Sequence, residues 1–150
     1  MPDFSLKPHT IHIGCDHAAV ELKNAIISIL EERGHAVIDH GTMTNDSVDY
    51  PDIAHDVCNS MEGQESTAGI LLCGSGIGMS MAANRHPHIR AALCTSELHA
   101  RLARRHNNAN VLCMGARITG PEMARAILRV FLETDFEGGR HQRRIDKISL

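Results

Sequence analysis

Five short apolar runs, each separated from the next by a segment whose apolar residues recur at helical spacing, constrain this chain more than any other feature. The runs are 10–15 (TIHIGC), 35–39 (HAVID), 68–73 (AGILLC), 89–94 (IRAALC) and 110–114 (NVLCM). Such alternation is the pattern of βαβ units, in which a crossover helix returns the chain to start the next strand in parallel. Between the first two runs, Ala18, Leu22, Ala25, Ile26, Ile29 and Leu30 share a helical face, and Gly34 follows where a left-handed C-cap is wanted. Further helices are predicted over 52–62, 77–85, 96–106 and 121–133; Pro121 suits a first turn and precedes the stripe Ala124, Ile127, Leu128 and Phe131. The stretch 137–150, basic at Arg140, His141, Arg143 and Arg144, is expected to dock as a terminal helix. With right-handed crossovers these elements give an α/β fold, a three-layer α/β/α sandwich around a five-stranded parallel sheet, in one domain over 1–150.

Composition narrows the partners. Apolar residues make up 43% and charged residues 22%, ordinary for a chain that buries a core. A net charge of -3, with both signs interspersed, leaves no footprint for nucleic acid or an anionic membrane. No apolar run approaches a bilayer span, and Met1 to Thr10 lacks a signal-peptide core, so the cytoplasm is the expected compartment. The five cysteines are scattered and never form a CxxC pair, as expected of reduced thiols. Among eleven histidines the closest pairs are His86 with His88 and His9 with His12, and no HExxH or Cys/His cluster accompanies them; no metal is expected.

In an open parallel sheet, ligands bind beyond the carboxyl ends of the strands, which selects Cys15-Asp16-His17, Cys73 with Gly74-Ser75-Gly76-Ile77-Gly78, and Thr95-Ser96-Glu97. The glycine loop joins a buried strand to a helix, so its backbone N–H groups can meet an anion. Two ligand readings compete with a bare tight turn. A dinucleotide fingerprint needs glycine where Met79 stands and an acidic residue where Cys94 closes the next run; the other reading is a cradle for charge developing on a substrate. Cys73 ends the strand at a helix start, where thiolate is favoured over thiol and can act as base or nucleophile. The other four cysteines read as small buried hydrophobes. Asp16 and His17 suit a helix N-cap. His106, in a polar run between the fourth helix and the last strand, reaches the carboxyl-end face only if that helix frays early. Arg140 and Arg144, at i and i+4, share one helical side.

Taken together, IGCDHAAVELK (13–23), DYP (49–51), LCGSGIGMSMAANR (72–85), IRAALC (89–94), HNNANVLCMGAR (106–117) and GGRHQRR (139–144) resemble the ribose-5-phosphate isomerase B family, which also includes allose-6-phosphate and galactose-6-phosphate isomerases. The resemblance implies a Rossmann-like fold, a sugar-phosphate substrate, no cofactor, and a homodimer, or a dimer of such dimers, with sites shared between subunits. It also implies roles. Cys73 is the base moving a proton between C1 and C2, Ser75 orients it, and the backbone from Gly74 through Gly76 and Ile77 to Gly78 stabilises the enediolate oxygen. His106 opens the furanose ring beside Asn107, Asp16 and Tyr50 contact the sugar, and His17, Arg117, Arg140 and Arg144 bind the phosphate. The extension Met1 to Pro8 falls outside the resemblance. A ligand-binding or thiol-sensing module using the same loop without turnover is the alternative class.

Overall fold

The computed structural model describes residues 9–150, so the extension Met1 to Pro8 lies outside the described residues. Strands β1 (Thr10–Cys15), β2 (Ala36–Asp39), β3 (Thr67–Cys73), β4 (Ala91–Leu93) and β5 (Val111–Gly115) form one parallel sheet in the order β2-β1-β3-β5-β4. Helices α1 (Val20–Glu32), α2 (Tyr50–Met61), α3 (Ile77–Ala83), α4 (Glu97–Asn107), α5 (Pro121–Glu133) and α6 (Arg140–Asp146) connect and cover it. Among the described residues no helix is long and apolar enough to cross a membrane.

Strand side chains alternate between the two faces. Ile70, Leu72, Leu112 and Met114 point into a core closed by α1, α4 and α5. Leu71, Cys73, Val111 and Cys113 point into a second core closed by α2 and α3. The three layers and the five parallel strands are as expected from the sequence. Each fully buried Leu or Ile contributes about 1.5–3 kcal/mol, so the central strands β1, β3 and β5 are the fixed frame of the molecule.

Element ends have local causes. Gly34, at φ +85°, follows α1, and the N–H groups of Gly34 and His35 donate to Glu31 O and Leu30 O, a Schellman closure that keeps His35 out of β2. The fourth strand is shorter than the apolar run 89–94 suggests. Ile89 N–H donates to His86 O in a turn, and Arg90 N–H donates to the Asn110 side chain, so pairing with β5 begins only at Ala91. The tail does form a helix, α6, packed on α4.

Candidate active site

The chain leaves β1 toward β2 on one side of the sheet and returns to β3 on the other, which opens a crevice beyond the carboxyl ends of β1 and β3. Cys73, the last residue of β3, is 4% exposed there. Its Sγ accepts the Gly76 N–H at 3.1 Å, and Ser75 Oγ accepts the Ile77 N–H at 3.2 Å. No backbone acceptor among the described residues meets the amides of Ser75 and Gly78. Gly76 is required by this geometry: its φ is +79°, and a Cβ would lie 2.6 Å from Leu93 Cδ1 and 2.8 Å from the Met114 carbonyl carbon. The loop is thus wedged against the ends of β4 and β5.

The other four cysteines are also buried. Burial pushes the Cys15 and Cys58 thiols up to about 11 and Cys94 up to about 12, and raises fully buried Cys113 as well. All four stay neutral thiols and serve packing.

Several side chains converge on the crevice. Asp16 is buried, its N–H donating to Leu72 O and its Oδ1 accepting the Ala18 N–H at 3.0 Å. It is therefore not a helix N-cap, as its position suggested; α1 starts after Ala19 with no side-chain cap. His17 Nδ1 accepts the Val48 N–H at 3.3 Å, tying the loop before α2 to the crevice. The Tyr50 ring covers Gly78 so closely that a Cβ there would collide with it. Exposed Arg117 lies along Gly74, its Nη1 3.5 Å from where a Gly74 Cβ would stand. Behind them, the fully buried Lys23 ammonium pairs with Asp39 at 2.6 Å, and Asp39 Oδ1 accepts the Gly41 N–H, which anchors the loop after β2. Ser96, among the residues selected after the fourth run, caps α4 by accepting the His99 N–H.

His106, Asn107, Arg140 and Arg144 do not join this group. A crossover helix runs back from the carboxyl ends of the strands, so its last turn lies at their amino ends, and His106 and Asn107 occupy the last turn of α4. That helix does not fray. Asn108 closes it at φ +46°, while Arg104 donates to Asn108 Oδ1, Ala109 O and Thr134 O. The His106 ring stacks on His141 of α6, centroids 4.4 Å apart and planes 12° apart, with exposed Arg140 and Arg144 on the same helix. Glu137 stands beside both rings and pairs with Arg105 at 3.2 Å. Nothing local in the sequence joins Glu137 or His141 to His106, so neither stands out there as a metal-type donor. Of the histidine pairs adjacent in sequence, His9 stacks on His35 and His12 bonds His40, whereas His86 bonds His55 and only touches His88 edge-on.

The chain has clear relatives. The family model described as Ribose/Galactose Isomerase matches residues 11–148. Ribose-5-phosphate isomerase B of Escherichia coli is 45% identical over 93% of each chain. D-erythrulose-4-phosphate isomerase of Pectobacterium atrosepticum is 41% identical over 93% of this chain and 92% of its own. The crystal structure of a ribose 5-phosphate isomerase from Thermotoga maritima superposes with a TM-score of 0.90 at 54% identity, covering 93% of this chain and 97% of that one.

Proposed function

The chain belongs to the Ribose/Galactose Isomerase family, and from that premise we propose that it is an aldose–ketose isomerase interconverting ribose 5-phosphate and ribulose 5-phosphate. The observation that carries the reading is Cys73 Sγ at 3.1 Å from the Gly76 amide, beside the amides of Ser75 and Gly78. In this scheme the Cys73 thiolate removes the C2 proton of the open-chain aldose. The electron pair moves into the C1–C2 bond, and oxyanion character develops on O1 opposite the loop amides. Return of the proton to C1, with a proton moved from O2 to O1, gives the ketose. Loop amides placed for that oxygen are worth about 3–4 kcal/mol each in comparable sites. Ser75 steadies the loop through the Ile77 N–H, Asp16 and Tyr50 hold sugar hydroxyls, and His17 and Arg117 hold phosphate. Proton transfer next to a carbonyl is base catalysis, so the scheme calls on no metal or organic cofactor.

His106, Asn107, Arg140 and Arg144 enter the scheme from a second copy. They carry the ring-opening and remaining phosphate roles at the opposite end of the sheet, so the reading is a homodimer whose sites each take one half from either subunit. The whole of 1–150 acts as one isomerase domain, and five free buried thiols fit a reducing, cytoplasmic setting.

Turnover of the purified protein on ribose 5-phosphate, allose 6-phosphate, galactose 6-phosphate and erythrulose 4-phosphate tests the substrate. A preference for another sugar would correct it, and no turnover on any would favour a thiol-sensing module. Shared sites are tested by mixing Cys73→Ala with His106→Asn. Random reassortment of two-fold dimers restores about a quarter of the wild-type sites, and no restoration would place each site within one chain.

A further inference from the structure

The Glu137 carboxylate stands beside the edges of the two stacked imidazoles, its Oε2 3.9 Å from His106 Nε2 and its Oε1 3.7 Å from His141 Nε2. Both gaps are too long for hydrogen bonds. His141 is nevertheless only 6% exposed, and its Nε2 has no partner among the described residues. A buried polar atom facing a carboxylate across such a gap calls for something between them.

The spacing suits a metal ion. The three donor atoms lie within 4.8 Å of one another. Two donors each about 2.1 Å from a tetrahedral zinc stand roughly 3.4 Å apart. In the present stack the two ring planes run nearly parallel, so bringing all three donors onto one ion requires His106, the more exposed ring, to turn out of its stack on His141. Two imidazoles and a carboxylate suit borderline transition metals, whereas Mg2+ and Ca2+ take oxygen shells. Arg105 holds Glu137 Oε2 at 3.2 Å, and Arg140 and Arg144 stand on the His141 helix. This positive charge opposes a cation, so the site suits an exchangeable ion rather than a permanent one.

We propose that His106, Glu137 and His141 form a binding site for a divalent transition metal of the zinc class, and that an ion there withdraws His106 from ring opening. The second half rests on the role given to His106 above; the first does not. Bound zinc occupies the imidazole nitrogen that would otherwise exchange a proton with the sugar ring, so the site inhibits the enzyme and supplies no chemistry to it.

The test uses untagged full-length protein titrated with Co2+, followed by visible absorption, and with Zn2+, followed by calorimetry. One ion per chain is expected, with no thiolate-to-cobalt charge transfer. Binding should weaken at least about tenfold in Glu137→Gln and in His141→Ala; the first variant keeps the test open should loss of the buried ring prevent folding. Zn2+ should slow isomerisation of ribose 5-phosphate as the site fills, while exchange of the ribulose 5-phosphate C1 proton with deuterium is largely spared. Undiminished binding in folded Glu137→Gln, or a thiolate band, would overturn the site and put the ion on a cysteine. Full-rate isomerisation with the site filled would overturn the inhibition. Metal binding by a protein that isomerises no sugar phosphate would support the site while sinking the functional reading.

Discussion

The two ends of the sheet hold their candidate functional groups by different means. At the carboxyl ends, backbone does the holding: the Gly76 amide meets Cys73, Gly115 admits the Ser75 backbone, and Gly78 admits the Tyr50 ring. At the amino ends, long side chains on helix termini do it, with His106, Arg140 and Arg144 partly or fully exposed and Glu137 bridging loosely among them. Backbone-built geometry is preorganised and intolerant, because moving one amide moves the loop. Side-chain geometry tolerates substitution without disturbing the fold, and its losses fall on binding.

The largest contrast lies in the chemistry itself. Cys73→Ala is expected to lower kcat about 10²- to 10⁴-fold with an unchanged circular dichroism spectrum. Cys94→Ala, which removes a buried thiol used only in packing, should leave kcat within a few-fold of wild type. A residual rate above a tenth of wild type in Cys73→Ala would make another group the base.

Next come the glycines. Gly76→Ala combines a left-handed backbone with a collision against Leu93 and Met114, and should cost about 2–5 kcal/mol of stability. Gly138, near the amino-end cluster, also has a positive φ, at +73°, but nothing lies within 4 Å of its Cβ position. Gly138→Ala should cost only about 1–2 kcal/mol. Urea unfolding of both variants measures the difference, and equal losses would mean that wedging of the loop adds nothing.

On the amino-end side, Arg140→Ala should raise KM for the sugar phosphate about tenfold or more, as loss of a charge-assisted phosphate contact does, and leave Tm where it was. Arg140 is exposed, with no ion pair among the described residues. An unchanged KM with a lowered Tm would make the tail structural.

What could be read in the sequence divides along the same line. β1 and α5 match their expected bounds, and the Cys73 loop was found because a strand end, a helix start and three alternating glycines are all local signals. The insertion of β5 between β3 and β4 has no local signal, since it depends on which edge each crossover returns to. His106 drew notice through family likeness, yet its placement turned on Arg104, whose bonds to Asn108, Ala109 and Thr134 keep the helix end wound. Glu137 and His141 meet His106 only because α6 folds back onto α4. Asp16 shows the reverse error: a cap-like residue in the right place spends its carboxylate on Ala18 instead.

The smallest expected effect is a pH dependence carried by buried His12 and half-buried His40 and His86 around α2, the helix that sets Tyr50 over Gly78. His12 and His40 share a 2.9 Å ring contact, and His86 bonds His55 of α2 at 2.7 Å. Burial first, then neighbouring imidazoles for His12 and His86, lowers the pKa of His12 and His86; burial likewise lowers His40, with Asp56 of α2 and Asp39 opposing. Below the ordinary histidine value of about 6.5 the unfolded chain therefore binds protons that the folded chain refuses. Stability from these groups is present above that value and declines as pH falls toward the lowered folded values. Hydrogen exchange at about pH 7 and about pH 5.5, corrected for intrinsic rates, should show protection in α2 falling more than in α5, whose buried face carries only apolar side chains. His40→Asn should flatten the decline. Equal loss of protection in α2 and α5 would show that acid acts on the whole fold at once, and that the carboxyl-end crevice has no acid-sensitive support of its own.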